Sequence, residues 1–265
     1  MADVNLPIHI IKGRGAATRL PHRCEKDSRA AYDDGCGTLK DAAVDAPRLA
    51  TQVMFEDARS VNSRNDSPDI FFDHSINPYR SCEHGCIYCD ARPTHSYLNL
   101  SPGLDFETKI IAKRNIAEVL RRDLARLGYV PRLLNIGSNT DCYQPVEREP
   151  FVNEDMEQVL QAAWDAAFYT VIRLLLELSP LFRQWLDLHY PQCAARIMSR
   201  IQEMRAGKDY DSDFASRMKG SGLWADLIRQ RFAKTCHRLG FNRERVELDL
   251  SQFRPALAHG QSEMF

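Results

Sequence analysis

The chain has 265 residues and a mass of 30.3 kDa, enough for one large domain or two small ones. Apolar residues make up 44% and charged residues 27%, the balance of a globular protein able to build a core. Lys and Arg number 35 against 36 Asp and Glu, a formal net charge of -1, so global charge makes no case for nucleic acid or an anionic membrane as partner.

The longest apolar run, Phe168 to Leu178, is interrupted by Arg173 and Glu177 and is too short to span a bilayer. Residues 1–23 lack the basic, apolar, small-residue order of a secretion signal, so a cytoplasmic location is expected. In that compartment the 8 Cys point to metal or redox chemistry and away from a disulfide scaffold.

Residues 1–67 read as an extended, poorly ordered arm: Arg, Asp, Ala and Ser with few apolar runs bury little surface to offset their ordering entropy. A turn of helix is expected around Ala42 to Met54. Extended chain is expected from Ile70 to about Arg80, then a Cys-rich loop. Ile116, Leu120, Leu124 and Leu127 recur at helical spacing before Gly128, which predicts a helix over Glu107 to Leu127. Arg132 to Ile136 reads as a buried strand ending in a polar loop, Ser138 to Gln144.

Asn153 is a candidate N-cap for a helix to about Ala166. Phe168 to Leu175, with Tyr169, Thr170, Val171 and Ile172, reads as another strand. Ser179 and Pro180 then open a helix. Further helices are expected over Ala194 to Arg205 and Leu223 to Leu239, the latter ended by Gly240. The alternation is that of βα units, hence an α/β chain with a parallel sheet and chemistry at the strand C-termini.

One motif carries chemistry: Cys82-Glu-His-Gly-Cys86-Ile-Tyr-Cys89. Three thiols at this spacing in a glycine-containing loop can turn toward one soft metal centre, either an iron–sulfur cluster or zinc completed by His84, His95 or Cys142. Three protein ligands on a four-iron cube leave one iron open to bind a substrate, as catalytic zinc sites keep one position open. Arg80 and Arg92 flank the loop, either tuning its charge or lying solvated. Asp141, Glu147 and Glu149 near the strand ends read as acid–base or loop-capping groups. Cys24, Cys36, Cys193 and Cys236 have no partnering pattern. Trp164, Trp185 and Trp224 read as core anchors.

The pattern CxxxCx(aromatic)C, with Tyr88 in the aromatic slot, resembles the signature of the radical S-adenosylmethionine superfamily. Ser75-Ile-Asn-Pro-Tyr-Arg-Ser-Cys82, Asp90-Ala-Arg-Pro-Thr-His95, Ser101 to Lys109 and Gly137 to Glu149 resemble a bacterial branch related to spore photoproduct lyase. Lys12-Gly-Arg-Gly-Ala16 and Met204 to Tyr210 join the resemblance more loosely.

The resemblance implies a partial (β/α) barrel with a 4Fe–4S cluster held by Cys82, Cys86 and Cys89. S-adenosyl-L-methionine would bind the fourth iron, Tyr88 would support its adenine side, and Ser138, Asn139 and Thr140 would contact its methionine amino group. Gly137-Ser-Asn-Thr stands where the superfamily has a Gly-Gly-Glu pattern. Reductive cleavage would give a 5′-deoxyadenosyl radical, with an electron donor of flavodoxin or ferredoxin type. The resemblance also implies an unknown substrate, nucleic-acid-derived in the related lyase.

Arg173 to Glu177 and Ser179 to Trp185 resemble the family's last strand and helix, so several middle βα units are absent and the join lies near Glu149 to Phe151. The expectation is a truncated barrel: an arm over 1–67, a shortened core over 68–190 and a helical region over 191–265. Such a core is expected to keep the cluster loop and to turn over poorly unless a second chain completes the sheet. The competing readings are a non-catalytic metal-binding or interaction protein that retains the loop, and a zinc-dependent nucleic-acid-binding module. Residues 196–245 carry 12 Lys and Arg against 6 Asp and Glu, which is either a solvated helix face or a phosphate-binding one.

Overall fold

The computed structural model describes residues 14–25, 49–60, 62–130, 132–142, 144–148 and 168–242. The expected helix over Asn153 to Ala166, Trp164, Cys36 and the join near Glu149 lie outside the described residues. So do the side chains of Glu147 and Glu149.

Two small sheets organise the first half. Strand β1 (Gln52–Glu56) runs parallel to β5 (Lys109–Lys113), with Val53 opposite Ile110, and β5 pairs antiparallel with β4 (Tyr79–Arg80). The second sheet places β3 (His74–Ile76) between an antiparallel β2 (Asn62–Arg64) and a parallel β6 (Leu134–Ile136). The chain is thus mixed α/β, with parallel pairs in both sheets and no closed barrel among the described residues.

Strand pairing engages residues 52–56 and 62–64, within the segment expected to be extended. β1 and β2 form one edge of each sheet, and Met54, expected in a turn of helix, is a strand residue. The upstream segment is packed too: Ala16, Thr18 and His22 are buried.

The expected helix from Glu107 divides. A short helix α1 (Leu104–Thr108) passes straight into β5, and helix α2 begins only at Ile116, ending at Leu124. Alternation buries Ile110 and Ala112 against Tyr79 and Val53, while the spacing of Ile116, Val119 and Leu120 seats α2 on Ile76 and Leu134. The side chain of Asn115, at the α2 N-terminus, bonds both backbone groups of Ala58 (2.8 and 3.1 Å), pinning the helix to the segment after β1. Leu127 is fully exposed. β6 is an edge strand with Ile136 exposed, not the buried strand its apolar run suggests.

Phe168 to Leu175 forms no strand. Its backbone groups are taken up individually: the amide of Val171 donates to Met218 O at 2.8 Å, and the buried Arg205 guanidinium donates to the carbonyls of Val171 and Ile172 (3.1 and 2.7 Å). A residue run that favours β structure by composition is held as irregular chain because a cation satisfies the acceptors that a neighbouring strand would.

Three helices follow, α3 (Leu178–His189), α4 (Ala194–Glu203) and α5 (Gly222–Leu239). Leu178, Leu181, Phe182 and Leu186 form one stripe of α3 and pack on Met198 and Ile201 of α4. Fully burying such a side chain contributes about 1.5–3 kcal/mol. Gly240, at φ +82°, caps α5 in the left-handed conformation, as its position after Leu239 predicts. The basic excess of this region is partly engaged within the protein: Arg200 pairs with Glu203, Arg229 with Asp226, and Arg217 with the half-buried Asp69.

Candidate metal centre

β4 delivers the chain to Cys82, whose amide donates to Phe106 O at 3.1 Å. From there the loop folds into consecutive turns. Gly85 N donates to Cys82 O (3.3 Å), Cys89 N to Cys86 O (3.1 Å) and Arg92 N to Cys89 O (3.2 Å). Ser81 and Gly85 adopt positive φ, 95° and 64°, and these reversals fold the loop back on itself. Between the cysteines, Ile87 is buried in the same core as α3 and α4, so the loop is anchored from below. Cys82 is buried, Cys89 half-buried and Cys86 exposed.

The three thiols are electrostatic neighbours. Burial is the main influence that raises the Cys82 and Cys89 thiols above the usual thiol value; the charges of Asp141 and Cys86 push Cys82 the same way, and those of Cys82 and Cys86 push Cys89. Backbone N–H groups of His84 and Asp141 face Cys82 and favour its thiolate, as does the N–H of Ala91 at Cys89. Amides aimed at sulfur are of use only to a charged sulfur, and a positive centre would supply the charge balance that burial denies. Among the described residues, no three His, Cys, Asp or Glu side chains converge closely enough to hold a single metal ion. A cube spreads its thiolates over different irons and does not require that convergence.

Under the loop lies a buried ion pair that sequence reasoning missed. Arg92, wholly buried at the start of a 3-10 helix (Arg92–Leu98), donates to the carbonyls of Cys86 (2.9 Å), Gly85 (2.7 Å), Pro102 (3.0 Å) and Gly103 (2.9 Å). Its guanidinium stands 3.6 Å from the equally buried Glu107. Burial pushes the guanidinium down and the carboxyl up, and each opposes that shift in the other. The Glu107 carboxylate also accepts from the amides of Gly15 and Ala16, both at 2.7 Å. Arg14 bonds Glu107 O and pairs with Glu83 at 3.0 Å. Arg14, Gly15 and Ala16 thus form a strap across the cysteine loop. Gly15 has to be glycine, because a Cβ there would meet Gly85 O at 1.9 Å. Arg92 is not a solvated flank, whereas Arg80 is exposed and pairs with Glu56 at 2.8 Å.

The loop after β6 lies beside the cysteines. Asn77 Oδ1 accepts from Asn139 N at 2.8 Å and lies 3.4 Å from Ser138 Oγ. Thr140 is buried and its hydroxyl donates to Tyr79 O at 3.0 Å. Gln144 bridges the two loops, accepting from Glu83 N (2.9 Å) and donating to Ser81 O (3.1 Å). Asp141 and His84 lie 3.1 Å apart, and Cys142 is buried behind Gly137. Tyr88 is largely exposed beside Cys86, whose negative charge is the leading reason that its hydroxyl is raised. Ser138 and Asn139 face solvent at the strand ends; Thr140 is turned inward.

His95 is wholly buried, edge-on to Phe106 at 5.1 Å, and burial lowers its imidazole from 6.5 to about 4. The unfolded chain therefore takes up a proton here that the folded chain refuses. Stability is complete above about pH 6.5 and is lost as the pH falls toward 4, by up to about 3 kcal/mol for this ring. Urea unfolding at neutral pH and in the middle of that window should show the loss, and His95→Asn should remove this part of the slope.

Over 98 residues, 36% of its length, the chain is 47% identical to uncharacterized proteins of Mycobacterium tuberculosis and Mycobacterium bovis. The match covers 29% of each relative, so the chain spans less than a third of the length of the curated relatives it matches. No family model matches the chain, and no solved structure matches it.

Proposed function

We propose that the chain is an iron–sulfur protein of the radical S-adenosylmethionine type, in which Cys82, Cys86 and Cys89 hold three irons of a 4Fe–4S cluster. The observation that carries this reading is the electrostatic grouping of three thiols on one anchored loop, with backbone amides aimed at two of them. When bound, the cluster supplies one-electron cleavage of S-adenosyl-L-methionine to a 5′-deoxyadenosyl radical. The chain's own contribution is positional. Arg92 and Ile87 hold the loop from beneath, Tyr88 stands at its exposed rim for the adenine side, and Ser138 and Asn139 offer polar groups to the methionine end. Thr140, committed to Tyr79 O, keeps that second loop in register. The substrate is taken to be nucleic-acid-derived and the reductant to be of flavodoxin or ferredoxin type, acting on a cytoplasmic protein. No helix among the described residues is long and apolar enough to cross a membrane.

Anaerobic reconstitution tests the reading. About four irons and four sulfides per chain, with visible charge-transfer absorbance, are expected. Cys86→Ala, at the exposed ligand, should lose most of both while the apo fold stays intact. A colourless chain that takes up zinc instead would reject the reading in favour of a zinc module. Release of 5′-deoxyadenosine addresses the remaining alternative, a loop kept without catalysis. The two short sheets favour slow turnover that rises with protein concentration if a second copy completes them.

A further inference from the structure

We propose that the end of the second sheet remote from the cysteine loop binds a nucleoside monophosphate or a close analogue of one. The parallel strands β3 and β6 carry their C-terminal ends toward Asn77 and Ser138, on the cysteine side. Their N-terminal ends open on an unrelated open concavity of about 500 Å³, lined by Arg64, His74, Arg126, Tyr129 and Arg132 and, among the described residues, by no carboxylate. Arg64 and Arg132 have Asp66 and Asp73 at 2.8 and 3.9 Å, whereas no ion pair engages Arg126 among the described residues. Three arginines lining one concavity, one of them with no ion-pair partner among the described residues, suit a phosphate, which guanidiniums meet with paired N–H donors.

The same site has a second compartment. An adjoining cleft of about 250 Å³ shares Asn62, Arg126 and Tyr129 with the first, and its walls are Ile76, Leu120, Leu124 and Leu134. Ser60 and Asp123 supply hydrogen-bonding groups at its edge. A flat, apolar-faced ring with polar edges fits that lining, and Tyr129 stands between the compartments where ring and phosphate would join. A bare anion would use only the first compartment and a nucleoside only the second. A ligand joined across Tyr129 uses both, which is the argument for a phosphorylated nucleoside.

Calorimetric titration of the full chain with AMP, adenosine and inorganic phosphate tests this. Saturable AMP binding, tighter than either fragment and weakened by salt, is expected. Arg126→Gln should weaken AMP at least tenfold, the loss of one charge-assisted contact, and weaken adenosine far less, because adenosine brings no phosphate for the guanidinium to meet. Arg126 is exposed, so circular dichroism should show the fold intact. Arg121→Gln, the same charge change on α2 outside the cavity, should leave AMP binding within twofold. Equal losses in both variants, phosphate binding as tightly as AMP, or no saturable AMP binding would each overturn the proposal. Cys86→Ala should bind AMP as the unaltered chain does, so an iron-free protein leaves this inference standing.

Discussion

Arg92→Met is expected to cost the fold about 3–5 kcal/mol, the usual consequence of removing one partner from a buried ion pair. The substitution strands Glu107 without its counter-charge and leaves the carbonyls of Gly85, Cys86, Pro102 and Gly103 without their donor. Methionine fills much of the volume, so the loss is electrostatic and not a cavity effect. Adding Glu107→Gln should return about 1–3 kcal/mol, because the second change removes the orphaned charge. Urea titration of the four members of that cycle checks the claim, and simple additivity would refute it. Because two of those carbonyls lie inside the cysteine loop, Arg92→Met should also lower iron uptake even where the chain still folds.

Gly85→Ala should cost about 3 kcal/mol and act on the same loop from the other side. A φ of +64° is left-handed, a conformation costing a residue with a Cβ about 1–2 kcal/mol. That Cβ would also lie 2.4 Å from Glu107 Oε2 and 2.8 Å from Arg14 Cβ, and such overpacking costs about 1–3 kcal/mol. The strap from Arg14 to Ala16 has to move away or the loop has to open. Thermal unfolding measures the stability loss, and hydrogen exchange at the Gly15 and Ala16 amides shows whether the strap has detached. Unaltered exchange in a stable variant would contradict the packing described.

What could be read from the chain was what its neighbours in sequence decide. α4, α5 and the Gly240 cap follow from apolar spacing and a glycine a few residues away, and the cysteine spacing needs only an eight-residue window. What escaped depends on distant partners. Lys109 to Lys113 carries too short an alternation to oppose the helical spacing that follows it, and becomes a strand because β1, more than fifty residues earlier, lies alongside. Phe168 to Leu175 has a strand's composition but meets Arg205 where a strand would be needed. For Arg92 the sequence left loop tuning and solvation open, and Glu107 stood only as the start of an expected helix, because charge is almost always solvated and nothing nearby in the chain announces a buried pair. Only the amides of Gly15 and Ala16 and the loop carbonyls make their burial tolerable.

The reach of those contacts constrains how the molecule can be made. Gly15 waits for Glu107, 92 positions later, and Arg23 waits for Glu177, 154 positions later. On a translating ribosome the strap and the cysteines therefore emerge before Glu107 and Glu177, the carboxylates that hold the N-terminal segment in place, have been made. Closing such loops delays folding, and air would reach those sulfurs first. A preparation made slowly and without oxygen should consequently yield more competent protein than one produced fast in an aerated culture.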